Sequence, residues 1–416
     1  MLKQDQEFQC FLVDNEYSNL VDQQETFKKI DKQTDSQFCN FLKNKILNDK
    51  NKLEQLLIRI NDQWNKNQIV ELKREEIFTL IILMFLKLIY RQKQFGGFYI
   101  INMENLKRAQ NQLCYQKMLC IENYIMLYYQ NQDNVSKFSF DSDEKVIFKD
   151  QIIKFIKNTQ NNEFQYQQDD DKSKQNINID ITNTRNEDQM NSTVVDFADE
   201  HIGGLTLDSY NCAQEEILML IYPEALVSMI FIPPMQANEA VLITNIKKYS
   251  NYSGYEQSFR WKQSNNFINQ FYNMLAIDAK PFSGSQMQFK KPNLDREMLK
   301  CYSGFSLALK YQPDQDISTG RWGCGIFGGN QYLKTIIQLI CFAQAKYETN
   351  QSKAKLIINA SSNEDLIKFG KNLQQFEPVL NLQNLKQLIK ILYEFQFQND
   401  YQFQKKIIDF LSSLMK

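Results

Sequence analysis

Apolar positions change their period along this chain. Up to about residue 130 they recur at helical spacing. The run KREEIFTLIILMFLKLIYRQ opens with acids and closes with bases, which suits the helix macrodipole. Its middle is apolar on all sides, which predicts a central bundle helix over 70–90. Gly96-Gly97 interrupts that pattern, and LCYQKMLCIENYIMLYYQ predicts a second helix over 113–130. From 145 onward short strand-like runs appear: KVIFKD, INIDIT (Ile177, Ile179, Ile181) and STVVDFAD, with the polar stretch 183–192 as a loop. Later strands are expected at AVLITNI (240–246), NMLAIDA (273–279) and KLIINA (355–360). Helices are expected at 213–229, 330–347 and 363–374, and two more at 381–396 and 402–415 close the chain. Segment 159–176, with its Asp169-Asp170-Asp171 run, reads as a mobile polar loop. Strands alternating with helices predict an α/β layered fold with antiparallel members at the sheet edges. The division expected is a helical N-terminal accessory region, 1–140, and an α/β domain, 141–416, ending in the C-terminal helices of 381–416.

Composition narrows the chemistry. The 416 residues are 43% apolar, enough for a sizeable core. Lys and Arg number 48 against 49 Asp and Glu, so the basic excess that tracks a nucleic-acid backbone is missing and direct DNA binding is not expected. His201 is the one histidine, which excludes chemistry needing two or three imidazoles. The eight cysteines form no C-x-x-C pair and sit mostly among apolar residues, as reduced thiols do. No metal site and no cofactor are expected. The N-terminus lacks an apolar signal core, and the longest apolar run, Ile77 to Tyr90, is short for a membrane span and contains Lys87. A soluble, intracellular, monomeric protein without a membrane partner is the expectation.

Seven of the thirteen glycines fall in two places, Gly203-Gly204 and the run GRWGCGIFGGN with Gly320, Gly323, Gly325, Gly328 and Gly329. Both precede predicted helices. A glycine loop before a helix N-terminus offers backbone N–H groups and the positive end of a dipole, a combination that binds phosphate. Tight turns with helix caps would use the same glycines, but two such loops in a glycine-poor chain favour phosphate. Gly323 to Gly328 also match G-x-G-x-x-G. As a dinucleotide site that pattern needs a strand directly before it, and ISTGRW reads as a poor strand. A nucleotide-dependent oxidoreductase is therefore an alternative only.

The segment DFADEHIGGLTLDSYNCAQEEILMLIYPE is more specific. A strand leads to Gly203-Gly204, a polar loop over 206–212 follows, and Gln214, Glu215 and Glu216 open an apolar helix. Adjacent carboxylates in a first helical turn point about 100° apart, so they cannot share one task. Acids also simply favour helix starts. Glycosidic hydrolysis needs an acid for the leaving oxygen and a base for water. A helix N-terminus favours an ionised carboxylate, whereas burial, a second carboxylate and a diphosphate favour the protonated form, so one glutamate can serve both roles. A third segment, YSNYSGYEQSFRW (249–261), reads as a loop whose Tyr255 either covers a nucleotide or packs on the core.

Taken in order, VDFADEHIGG…QEEILMLIYPE, NYSGYEQSFRW, LAIDA and TGRWGCGIFGG resemble the blocks of the poly(ADP-ribose) glycohydrolase family, over roughly residues 65–400. The resemblance implies a macrodomain-like mixed sheet between helices with a helical accessory region. It implies hydrolysis of ribose–ribose bonds of poly(ADP-ribose), mainly from chain ends, with ADP-ribose released. Poly(ADP-ribosyl)ated proteins would be partners, and nucleus and cytoplasm the compartments. Carried over, Glu216 resembles the catalytic acid/base, Glu215 the group orienting the ribose hydroxyls, and Gln214 a ribose contact. Gly203 and Gly204 resemble the diphosphate-facing loop. Gly323, Cys324, Gly325, Ile326 and Phe327 resemble a second diphosphate loop, with Phe327 lining the ribose. Tyr255 resembles a nucleotide clasp, Asp196 and Asp199 lie where the family approaches substrate, and the adenine edge falls near Asn186. Leu205 replaces the usual third glycine, Asp199 an Asn, and Arg321 another Asn, so that Arg321 can approach a phosphate. A macrodomain that binds ADP-ribose without cutting it is the other alternative, since binding needs the loops but not the Gln-Glu-Glu start.

Overall fold

The computed structural model describes residues 10–12, 49–92, 98–101, 103–109, 111–133, 152–160, 171–264, 270–349 and 353–416. In chain order its elements begin with β1 (Cys10–Leu12), α1 (Lys50–Asn67), β2 (Ile69–Lys73), α2 (Arg74–Phe85), β3 (Ile89–Gln92), β4 (Phe98–Ile100), α3 (Glu104–Arg108) and α4 (Gln112–Asp133). The middle carries β5 (Ile152–Thr159), β6 (Ile179–Thr182), β7 (Ser192–Asp196), α5 (Gln214–Ile221), α6 (Ser228–Phe231), β8 (Glu239–Lys247), β9 (Ser250–Ser253) and β10 (Arg260–Gln263). Then follow β11 (Phe271–Ala276), α7 (Ser285–Gln288), α8 (Lys291–Tyr311), β12 (Asp316–Gly320), α9 (Gln331–Thr349), β13 (Leu356–Asn359), α10 (Glu364–Gln374), α11 (Leu382–Glu394) and α12 (Asp400–Leu414). The fold class is α/β, with a large mixed sheet flanked by helices. The candidates Gly96-Gly97, KVIFKD and most of the 159–176 loop lie outside the described residues.

The chain divides into two compact units. The first comprises the described residues of 1–156, 201–234 and 243–271. Its N-terminal part is not all helical. The helix expected over 70–90 is three elements. β2 pairs antiparallel with β5, Val70 opposite Phe155 and Leu72 opposite Ile153, and its burial alternates. The helix begins only after Lys73, whose N–H donates to Glu76 Oε2 at 2.9 Å. It ends where Lys87 takes a positive φ of 62° and the chain returns to an extended path. Short apolar runs do not separate strand from helix by period, which is why this division was invisible. α2 is buried nearly all round, and Phe78 stacks on Tyr128 of α4 at 4.1 Å.

The helix expected over 213–229 also breaks. Pro223 lacks an N–H and begins a 3-10 turn over 223–227 between α5 and α6. The presumed loop 249–261 is a hairpin. β9 and β10 pair antiparallel from Ser253↔Arg260 to Ser250↔Gln263, and Gly254 at φ 78° makes the turn.

The second unit comprises the described residues of 157–200, 235–242 and 272–416. Here β11, β7, β12, β13 and β6 lie side by side, all parallel. β7 is buried along its whole length, as a central parallel strand must be. The carboxyl ends align, with Ala276 beside Asp196, and Gly320 beside Asn359, itself beside Thr182. β12 corrects the expectation that ISTGRW is a poor strand. Its polar residues are satisfied in the core: Ser318 Oγ donates to the Asn186 carbonyl at 2.7 Å and Thr319 Oγ1 to Gln338 Oε1 at 2.6 Å. Pairing on both sides overrides its weak propensity. α8 was not anticipated. Gly304 disguises it, yet a Cβ there would lie 2.6 Å from Ile277, so close packing requires the glycine.

Candidate active site

In the first unit, Gln214, Glu215 and Glu216 are the first three residues of α5. Both glutamates are buried. They do not point at solvent but back onto the glycine loop. Glu215 Oε1 accepts the Gly203 N–H at 2.7 Å. Glu216 Oε1 accepts the Leu205 N–H at 2.9 Å, while its Oε2 accepts the Ala213 N–H at 2.7 Å and so caps the helix. One carboxylate therefore spans the loop and the helix start.

The loop can approach so closely because of its glycines. Gly203 has φ 101° and Gly204 φ 44°. A Cβ on Gly204 would sit 2.4 Å from Glu215 Oε2 and 2.8 Å from Glu216 Oε1. Leu205 is not among the positive-φ residues and its side chain is exposed, so the missing third glycine is accommodated by an ordinary turn. The Gly204 N–H donates to the His201 carbonyl at 3.0 Å and the Thr206 N–H to that of Gly203 at 2.9 Å. The loop's amides are thus engaged with the carboxylates and with the turn itself.

Tyr255 stands at the β9–β10 turn and is 49% exposed, which removes it from the core. The Glu256 N–H donates to the Cys212 carbonyl at 2.9 Å, and Gln257 Nε2 to the Tyr210 carbonyl at 2.8 Å, so the hairpin tip is tied to the loop that leads into α5.

Two further groups in this unit escaped the sequence. Lys117 of α4 is fully buried, and its Nζ donates to the carbonyls of Leu205 at 2.9 Å, Thr206 at 3.3 Å and Asp208 at 2.8 Å. Burial pulls this ammonium below the usual lysine range, partly offset by Cys212 and Glu216 nearby. The readable signal was a lysine on the buried stripe Cys114, Lys117, Ile121 and Tyr124 of a helix. The other group is the fully buried pair of Arg74 Nε with Glu224 Oε1 at 2.9 Å. Glu224 also accepts the Tyr249 hydroxyl at 2.8 Å and the Lys247 N–H at 2.9 Å.

In the second unit, Asp196 ends β7 and is fully buried, while Asp199 is partly exposed on the following turn. Asn186 is buried, and its side-chain amide donates to the Val195 carbonyl at 2.7 Å, so its own edge is committed to the fold. The second glycine loop leaves the carboxyl end of β12 and runs to α9. It closes on itself through the Gly328 N–H to the Gly325 carbonyl at 3.0 Å and the Gly329 N–H to that of Gly323 at 2.9 Å. The N–H groups of Gly323, Gly325, Ile326 and Phe327 have no acceptor among the described residues. Arg321 and Ile326 are exposed at this loop. Burial pushes the Cys324 thiol up to about 12 against the pull of Arg321, which argues against a thiolate nucleophile here. Beneath the loop Lys334 Nζ lies 3.8 Å from the Trp322 ring and pairs with Glu297, which also takes Arg296 at 2.6 Å. The last glycine of G-x-G-x-x-G stands outside α9 rather than within its first turn, unlike a dinucleotide fingerprint.

Among the described residues no group of three His, Cys, Asp or Glu side chains is placed to hold a metal ion, and no helix is long and apolar enough to cross a membrane.

Residues 164–353 match the family model described as poly(ADP-ribose) glycohydrolase, macro domain fold. The chain is 34% identical over 195 residues to the probable poly(ADP-ribose) glycohydrolase 2 of Arabidopsis thaliana, covering 36% of this chain and 37% of that one. It is 37% identical over 172 residues to poly(ADP-ribose) glycohydrolase 1 of Caenorhabditis elegans, covering 37% of this chain and 22% of that one. It therefore spans well under half the length of these curated relatives. Among solved structures, the poly(ADP-ribose) glycohydrolase of Deinococcus radiodurans in complex with ADP-ribose aligns over 48% of this chain and 84% of that one, at 14% identity and a TM-score of 0.33. The similarity to poly(ADP-ribose) glycohydrolases is carried by the segment 164–353 and, for these curated relatives, by a little over a third of this chain.

Proposed function

We propose that this protein is a poly(ADP-ribose) glycohydrolase, cutting ribose–ribose O-glycosidic bonds mainly from chain ends and releasing ADP-ribose. The observation that carries this is the pair of buried glutamates at the start of α5, each hydrogen-bonded to the glycine loop, inside the segment that matches the family. A macrodomain that only binds ADP-ribose needs the phosphate loops but not a Gln-Glu-Glu helix start.

Glu216 is the general acid/base. As the acid it protonates the leaving ribose oxygen while the anomeric C–O bond breaks; as the base it then takes a proton from the attacking water. Its two backbone N–H donors fix the carboxyl plane, and the remaining lone pairs leave room for the transferred proton. Glu215, held by Gly203, orients the ribose hydroxyls, and Gln214 beside it is a ribose contact. The half-exposed Tyr255 covers the nucleotide, its hairpin anchored to the 206–212 loop. In the second unit, the unengaged N–H groups of Gly323, Gly325, Ile326 and Phe327 suit diphosphate oxygens, with Arg321 at hand and Phe327 against a ribose. Asp196 and Asp199 at the carboxyl edge of the parallel strands belong near substrate, where α/β sheets place ligands, with the adenine near Asn186. Substrates are poly(ADP-ribose) and poly(ADP-ribosyl)ated proteins, met in nucleus and cytoplasm.

Incubation of the purified protein with labelled poly(ADP-ribose) tests this. Release of free ADP-ribose is expected. Tight ADP-ribose binding with an intact polymer would favour the binding-only alternative.

A further inference from the structure

Lys117 presents an uncommon arrangement. Its side chain is fully buried, yet no carboxylate pairs with its ammonium among the described residues. Its three N–H donors instead meet three carbonyls of one short stretch, those of Leu205, Thr206 and Asp208. Burying a charge against neutral carbonyls is a costly way to fill space, and a methionine of similar length would pack there more cheaply. Packing alone therefore does not account for it. What the ammonium does is turn three carbonyls toward one point. A chain so curled must send its amides the other way, and there the Leu205 N–H meets Glu216 Oε1 and the Gly203 N–H meets Glu215 Oε1. Leu205 is the shared residue: its carbonyl accepts from Lys117 and its amide donates to Glu216. The neighbouring Gln116 accepts the Trp261 N–H of β10 at 2.8 Å, and Asn123 donates to the Tyr249 carbonyl at 2.8 Å just before β9. One helix thus braces both the glycine loop and the Tyr255 hairpin.

We propose that Lys117 is a positioning residue for the hydrolysis, holding the 205–208 carbonyls so that the amides of Gly203 and Leu205 set the two glutamates. It rests on the glycohydrolase reading, but its central claim can be checked without substrate. Hydrogen–deuterium exchange of the 201–212 segment, kcat and KM on poly(ADP-ribose), and ADP-ribose affinity are to be measured for wild type, Lys117→Met and Lys117→Gln. In Lys117→Met, the Gly203 and Leu205 amides should exchange at least about tenfold faster. Its kcat should fall by about 10- to 100-fold, the scale of misplacing a catalytic group by an ångström. KM and ADP-ribose affinity should stay within about threefold. Lys117→Gln, which keeps two donors, should fall between the two. A Met variant whose melting temperature drops while turnover per folded molecule and loop exchange match wild type would overturn the proposal. If Lys117→Met does not fold, Lys117→Gln decides by the same two outcomes. Should wild type release no ADP-ribose, the glycohydrolase reading fails, and loop exchange alone still settles whether Lys117 holds the glycine loop.

Discussion

The Leu205 amide lies 2.9 Å from Glu216 Oε1. The residue that replaces the usual third glycine is thus the one bonded to the proposed acid/base. A glycine would supply the same N–H, so the exchange to leucine leaves this contact intact, and the exposed side chain has only to avoid the loop.

Glu216→Gln should lower turnover by about 10²–10⁴-fold while ADP-ribose still binds, because the amide carries no transferable proton. It should also lose about 1 kcal/mol of stability, since an amide nitrogen cannot accept the second backbone N–H now held by the carboxylate. Glu215→Gln should reduce turnover with little loss of stability, because the amide oxygen can still accept from Gly203. Single-turnover assays with thermal melts check both. Near-normal hydrolysis by Glu216→Gln would remove it from the mechanism.

Gly204→Ala is expected to disturb the same pair from the other side. The new Cβ would press on both carboxylates, and the residue would sit at a φ of 44°, which costs a non-glycine roughly 1–2 kcal/mol. Turnover should fall at least about tenfold. Full activity in this variant would mean that the glutamates need no fixed position.

Tyr255→Ala should weaken ADP-ribose binding by about 1–3 kcal/mol, the scale of one lost stacking or hydrogen-bonding aromatic. The ring is half exposed, so the melting temperature should change little. Calorimetric titration on the variant, alongside its melting curve, separates the two effects. Unchanged affinity would leave Tyr255 without a role in binding.

Cys324→Ser should keep turnover within about threefold, and iodoacetamide should label Cys324 slowly at neutral pH, because a thiol pushed up to about 12 is almost wholly protonated there. Rapid labelling with parallel loss of activity would point to a thiolate in the reaction.

Glu224→Ala should destabilise the first unit by about 3–5 kcal/mol, because it strands a fully buried guanidinium. Urea denaturation measures this. A loss under about 1 kcal/mol would show that Arg74 finds other compensation.

Much of this was legible in the residues themselves. A helix opened by Gln214, Glu215 and Glu216, a strand before Gly203-Gly204, and strands in INIDIT, STVVDFAD and KLIINA follow from period, propensity and local composition, and each of these three segments holds a strand, shorter than expected, at Ile179–Thr182, Ser192–Asp196 and Leu356–Asn359. These are effects of near neighbours along the chain. The elements that were misread depend on partners far away. DISTG becomes a strand because strands pair with it on both sides and its hydroxyls find Asn186 and Gln338. Ile69–Lys73 becomes a strand because Ile152–Ile156 lies beside it, and the 249–261 loop becomes a hairpin because residues seven to thirteen apart pair across Gly254. The sequence by itself determined that two carboxylates start a helix behind a glycine loop. Only the tertiary structure decided which amide each carboxylate accepts and that Lys117, about ninety residues earlier, grips the loop's carbonyls. The reason is physical: a hydrogen bond is set by positions a few ångströms apart in space, and spacing along the chain does not encode those once the contact is long-range.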